Sequence, residues 1–340
     1  MVDITTMNFK TKIFFALSAS AFLFSCGPEK PVTENTTTNE TVTTNTVVAK
    51  PRVIPPEFNA DSAFHYIKTQ AEMGPRVPGS RAHDKAVAYF EKHFKSLGAS
   101  VKVMGGSTIT FDGKQWRIDN VIAEFNPEAK NRIMLCAHYD SRPFSDKDPV
   151  PANRTKPCPG VNDGASGVGV LMEIARIIKE KQPTVGIDII LFDLEDYGDN
   201  GDQYSWCLGS VYWANNKHKT SYKPKYAVLL DMVGAKNAVF PKEGLSRINA
   251  NEVVKNIWGT AARLGYGNYF VDSNAEQMTD DHWPINEIAK IPCVDILHYN
   301  FSTNAFFEHH HKTTDDINTI DKNTLKAVGQ TLLEVIYNEE

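Results

Sequence analysis

This 340-residue chain has no CxxC pair, no long basic run, no repeat period and no apolar stretch long enough to cross a bilayer. The missing CxxC argues against a zinc-ribbon site. With 36 basic and 41 acidic residues the net charge is −5, and the basic residues are not clustered, so nucleic acid is an unsuitable partner. Near the N-terminus, residues 7–26 ("MNFKTKIFFALSASAFLFSC") place two lysines before an apolar segment. That segment is too short for a spanning helix and reads as a secretory signal. Cysteine is scarce. Besides Cys26 there are only Cys136, Cys158, Cys207 and Cys293, which leaves room for one or two disulfides in an exported protein.

"LFSC" has the form of a bacterial lipobox, in which the cysteine, here Cys26, is lipidated and becomes the mature N-terminus. Residues 1–26 are thus expected to be a lipoprotein signal, placing the protein on the periplasmic side of a bacterial membrane. Residues 27–56 are rich in Thr, Asn and Pro with little to bury, as expected of a flexible tether. Residues 57–340 are long enough for one large single-core domain.

In that domain "NADSAFHYIKTQAEMG" and "SRAHDKAVAYFEKHFKSLG" have helical apolar spacing, and "SVKVMGGSTITF" and "WRIDNVIAEF" alternate like antiparallel strands. "RIMLCAHYD", "GIDIILFDLED", "KYAVLLDMVGA" and "IPCVDILHY" are continuous apolar runs, as in strands covered on both faces. Helical patterns separate them, beginning with "NDGASGVGVLMEIARIIKEK" and closing with "KNTLKAVGQTLLEVIY". The expected fold is α/β: three layers, α/β/α, around a mixed, mostly parallel central sheet.

Ligands gather at the carboxyl ends of strands in such sheets. The predicted strands end in His138 and Asp140, in Asp193, Glu195 and Asp196, in Asp231, and in His298, while Asp163 precedes a helix. Singly, each residue has an ordinary explanation: Asp163 could cap a helix, His298 could be a bonded core histidine, and "EHHHKTTDD" could be a solvated loop. Together they place histidines and carboxylates on one rim. Without thiolates, that set suits a catalytic zinc, and a dication would satisfy mutually repelling acids.

"AHYDS", "GVNDGASGVGVLMEIAR", "FDLED", "LLDMVGA" and "HHHKTTDD" resemble, in order and spacing, the exported zinc aminopeptidase superfamily. More narrowly, "DDHWP" and "DILHY" resemble its non-proteolytic branch, the animal-type glutaminyl cyclases. The resemblance implies one Zn2+ held by Asp163, Asp196 and His311, with His310 as the alternative to His311. Asp196 stands where the family usually has glutamate, and His310 where many cyclases have tryptophan. Glu195 would shuttle a proton, and Asp231 and Asp281 would hold its geometry. His298, Trp206 and Trp283, with Phe306 or Phe307, would line a small substrate pocket. His138 and Asp231 match the positions that take a second metal in the peptidases, and His138 with Asp140 would form a second metal site or support the first. The implied substrates are peptides or proteins with N-terminal glutamine, released as pyroglutamyl products with ammonia. An exported dinuclear aminopeptidase and a metal-free binding lipoprotein are the rival expectations.

Overall fold

The computed structural model describes residues 52–301 and 303–339. The signal segment, Cys26 and most of the expected tether therefore lie outside the described residues. In chain order the elements begin with helices α1 (Ala60–Glu72) and α2 (Arg81–Ser96) and strands β1 (Ser100–Ile109), β2 (Gln115–Phe125) and β3 (Arg132–His138). Next come α3 (Ala165–Glu180), β4 (Gly186–Phe192), α4 (Leu208–Asn216), β5 (Ala227–Asp231), β6 (Phe240–Lys242), α5 (Gly244–Asn249) and α6 (Asn251–Arg263). The chain closes with β7 (Phe270–Asn274), α7 (His282–Glu287), β8 (Cys293–Leu297) and α8 (Lys322–Tyr337).

Six strands form the central sheet in the order β1-β2-β4-β3-β5-β8. β1, β2 and β4 pair antiparallel, whereas β4, β3, β5 and β8 run parallel. The apolar runs become buried parallel strands because both faces are covered. Ile133, Leu135, Ile187, Ile189, Leu191, Val228, Leu230, Val294 and Ile296 point into one core, shared with residues of α1, α2, α3, α6 and α8. Alternate residues, among them Met134, Cys136, Ile190, Phe192 and Leu229, point into a second core with Trp213 of α4 and Ile285 of α7. Each such side chain contributes about 1.5–3 kcal/mol on full burial. The small residues of "ASGVG" let α3 lie directly on the sheet: a Cβ at Gly167 would stand 2.3 Å from the Leu230 carbonyl oxygen.

The registers align the strand ends. His138 pairs with Phe192, and Asp231 with Leu297. The four parallel strands therefore finish on one rim, which carries the site.

Three expectations change. First, the domain begins before residue 57, because Arg52–Pro56 lie along α8 instead of hanging free. Arg52 pairs with Glu334 at 2.7 Å, and the Val53 amide and carbonyl both bond the Asn338 side chain at 2.9 Å. Polar contacts hold this segment while its apolar Val53 and Ile54 stay exposed, so no pattern of apolar residues marked it. Second, Cys136, Cys158, Cys207 and Cys293 are all buried and free. Third, β6, β7, α5 and α7 were not anticipated; they span only three to six residues each, too short for a periodic signature. Among the described residues no helix is long and apolar enough to cross a membrane.

Helix α8 runs the depth of the domain. At its start the Asp321 amide donates to the Gly234 carbonyl just beyond β5, at 2.8 Å. At its end Glu339 accepts from the hydroxyl of Tyr226, which precedes β5, at 2.7 Å.

Candidate functional site

The acids of "FDLED" fan out in different directions at the end of β4, where Leu194 takes a left-handed backbone (φ 52°). Asp193 turns away from the rim, which removes it from the expected metal-capable group. Its carboxylate lies 2.9 Å from His83 Nε2 and accepts from the amides of Asp119 and Leu194. Glu195 and Asp196 turn toward the rim. Their consecutive amides donate to the two oxygens of Asp140, each at 3.1 Å. Asp140 is thus spent on backbone and is a positioning residue, not a ligand. Arg142 braces the same turn, donating to the carbonyls of Asp196 and Gly198 at 3.1 Å.

Asp163 arrives from the turn before α3. It does not cap that helix, whose N-cap is Gly164 with no side-chain bond. Instead Asp315 grips its backbone, accepting from the amides of Asn162 (2.9 Å) and Asp163 (3.1 Å). His311 comes from the "HHHKTTDD" loop in a left-handed conformation (φ 57°). Its Nε2 lies 3.1 Å from Asp196 Oδ1 and 3.9 Å from Asp163 Oδ2. Despite being one methylene shorter than glutamate, Asp196 reaches the site. His310 is there too: donor atoms of Asp163, His310 and His311 lie within 4.8 Å of one another.

These residues suit a divalent cation. Asp196 is 1 % exposed, yet its Oδ1 has no hydrogen-bond partner among the described residues. Burial and the neighbouring Asp163 push its pKa well above the carboxylate range, a strain that a dication would relieve. Burial pushes His311 down to about 3, which leaves its ring neutral with a lone pair to give. Two carboxylates and an imidazole form a three-ligand set that leaves a coordination position open.

His138 Nε2 sits 3.0 Å from Asp163 Oδ1 and 3.3 Å from Asp231 Oδ1. Burial opposes protonation of His138, but Asp140, Asp163 and Asp231 outweigh it and raise its pKa well above the ordinary value. Asp231 is itself pushed up to about 8, chiefly by burial.

The rim opens into a cavity of about 400 Å³ lined by Asp163, Glu195, Trp206, Asp231, Asp280, Phe306, His310 and His311, among others. Burial, then Asp196, Asp280 and Asp281, push Glu195 well above the carboxylate range, so it can hold a proton. Its Oε1 accepts from the Cys207 thiol at 3.4 Å, and a carboxylate oxygen of Asp280 joins the two within 4.8 Å. Trp206 stacks on His311 at 5.7 Å and 9°.

Several expected placements shift. In "DDH" it is Asp280 that faces the cavity. Asp281 points beneath it and accepts from Ser210 of α4 at 2.5 Å, because the chain turns into α7 between the two. His298 lines a neighbouring cavity of about 1170 Å³. From the last residue of β8 onward the chain alternates, with Leu297 and Tyr299 facing the smaller cavity and His298 and Asn300 the larger. Trp283 pairs with Tyr204 at 5.8 Å in a separate recess, and Phe307 belongs to the main core, so of the aromatic candidates only Trp206 and Phe306 form walls. Sequence reasoning missed Asp280, Cys207 and Lys147, of which only Asp280 carried a motif signal.

Residues 120–336 match the model of peptidase family M28. In fold, the chain is similar to the crystal structure of Bacteroides thetaiotaomicron glutaminyl cyclase bound to N-acetylhistamine: 44% identity, TM-score 0.83, covering 84% of this chain and 100% of that one. Aminopeptidase YwaD of Bacillus subtilis is 26% identical over 211 residues, 60% of this chain and 40% of its own length. Glutaminyl-peptide cyclotransferase of Boiga irregularis is 25% identical over 243 residues, 63% of each chain. The chain thus spans less than two thirds of the length of either curated relative. The family match covers most of the described domain, including every residue of the ligand trio: the chain belongs to peptidase family M28.

Proposed function

We propose that the chain is a zinc-dependent glutaminyl-peptide cyclotransferase, converting N-terminal glutamine of peptides or proteins to pyroglutamate with release of ammonia. The observation that carries this reading is the acid pair Glu195 and Asp280, gathered around the Cys207 thiol and lining the same cavity as Asp163 and His311, with Asp196 behind His311 at 3.1 Å. Such a pair can take up and return a proton without activated water. The similarity to the Bacteroides glutaminyl cyclase supports the same choice.

Asp163, Asp196 and His311 would hold the zinc, which when bound supplies Lewis-acid polarisation of the substrate γ-carbonyl. Glu195 takes a proton from the substrate α-amine onto its carboxylate. The amine nitrogen bonds to the γ-carbon, and the γ-carbon–amide nitrogen bond breaks as Glu195 returns the proton to that nitrogen. Asp280, beside Glu195, favours its protonated form, and Asp231 lines the same cavity. Trp206 and Phe306 hold the glutamine side chain in the ring-closing pose and exclude water, and such orientation can supply roughly 7–11 kcal/mol at the extreme.

A second reading, a dinuclear aminopeptidase, draws on donor atoms of His138, Asp163 and Asp231 lying within 4.8 Å of one another. Incubation with a Gln-initiated peptide decides between them. Ammonia released with the peptide bond intact is expected; free glutamine would establish the peptidase instead. The signal-like residues 7–26 and Cys26 support a lipoprotein on the periplasmic side of a bacterial membrane. Cys26→Ala should move the protein from the membrane pellet to the soluble fraction, and an unchanged pellet would reject lipidation.

A further inference from the structure

His310 stands beside the ligand trio with its proton in a defined place. Its Nδ1 lies 3.0 Å from Lys147 Nζ. An ammonium has three donors and no acceptor, so Nδ1 takes the lone-pair role and the ring hydrogen sits on Nε2. That Nε2 is 3.9 Å from Asp163 Oδ2, beyond hydrogen-bond reach, and makes no other hydrogen bond among the described residues. The ring lines the same cavity as Glu195. It is held at 3.6 Å from the His311 ring and edge-on to Phe306 at 4.9 Å. Lys147 is tied to the same loop, its amide donating to the His311 carbonyl at 3.2 Å.

A ring nitrogen that carries hydrogen has no lone pair to give a metal. We propose that His310 is a hydrogen-bond donor to the substrate and not a metal ligand: its Nε2–H donates to the γ-carboxamide oxygen of the bound glutamine, and Lys147 is the positioning residue that fixes its tautomer. This rests on the cyclotransferase reading. As the amine adds to the γ-carbon, the oxygen gathers negative charge, and a donor already aimed at it stabilises that charge without reorganisation. His310 keeps its proton throughout, so the proton balance remains that of Glu195.

The test uses His310→Phe, His310→Gln and Lys147→Met, with zinc per chain measured alongside steady-state kinetics on a Gln-initiated peptide. All three variants are expected to keep the zinc content of the unsubstituted protein. His310→Phe should lower kcat by ~100-fold, the loss typical of one oxyanion donor, with KM little changed. His310→Gln, whose amide N–H reaches the place of Nε2, should recover part of that loss. Lys147→Met should lower kcat alone but add nothing to His310→Phe. Loss of zinc from His310→Phe would make His310 a ligand and overturn the proposal, as would an unchanged kcat. If the phenylalanine variant does not fold, the glutamine and lysine variants read the same two quantities. An unsubstituted protein that binds zinc yet releases no ammonia would refute the cyclotransferase reading instead, while the zinc content of His310→Phe still decides whether His310 is a ligand.

Discussion

Asp140→Asn tests how strongly one carboxylate organises the site. Asp140 is fully buried, and its two oxygens accept from the amides of Glu195 and Asp196 at 3.1 Å each. Asparagine keeps one acceptor but turns its NH2 toward the other amide, setting donor against donor. A hydrogen bond to a charged group contributes about 1.5–3 kcal/mol, and a buried N–H left unpaired costs about 1–3. The remaining bond is also weaker once the acceptor is neutral, so the expected loss of stability is about 2–4 kcal/mol. For a domain of this size that lowers Tm by roughly 4–10 °C. Catalysis should suffer more than folding, since the two displaced residues are the proposed proton carrier and a proposed ligand, and a shift of about 1 Å can cost ~100-fold in rate. Thermal unfolding, zinc content and ammonia release, measured together, are the assay. A variant with unchanged Tm and unchanged turnover would refute the role assigned to Asp140.

Glu195→Gln should abolish ammonia release while zinc content stays constant, whereas His311→Ala should lose the metal; zinc retained in the latter would remove His311 from the ligand set. Gly198→Ala would place a Cβ 2.1 Å from Trp206 Cδ2 and push the indole off His311, so KM for a Gln-peptide should rise. An unchanged KM would show that Trp206 does not bound the substrate. Burial alone would raise the Glu243 pKa, but His282 and the amides of Ser246 and Leu245 outweigh it and bring it from 4.5 to about 2. Because the folded value is the lower one, this carboxylate contributes about 3 kcal/mol that is fully present above pH 4.5 and lost as pH falls toward 2. Glu243→Gln should therefore flatten the acid limb of Tm against pH, and an identical limb would contradict the assignment.

The parallel core of the fold was legible because strands covered on both faces are largely apolar, as β3, β4, β5 and β8 are, with the buried Asp188 and Asp295 the only acids inside β4 and β8. Placing Asp163 and Asp196 on one rim also followed, since strand ends and a helix-opening turn occupy one edge of such a sheet, whereas His311, in a loop, was marked only by the family resemblance. Which neighbour in a pair faces the cavity did not follow. Asp280 and Asp281 exchange places according to the turn into α7, and His298 leaves the site by the alternation of residues after β8. Asp193 was misjudged because its partner, His83, sits 110 residues away in α2. The thiol of Cys207 was invisible for the same reason: its bond to Glu195 depends on how α4 docks, which no local pattern encodes.

The clasp of Arg52–Pro56 onto α8 also fixes the end at which the chain enters the domain. Val53 meets the far end of that helix, at Asn338, whereas the first residues of α8 adjoin the rim beyond β5. Sixteen helical residues, about 24 Å, separate the two ends. Polypeptide entering at Arg52 thus joins the domain at its base, with the mouth of the cavity at the top. The clasped segment therefore leaves the mouth, bounded by Trp206, Phe306 and His310, unobstructed.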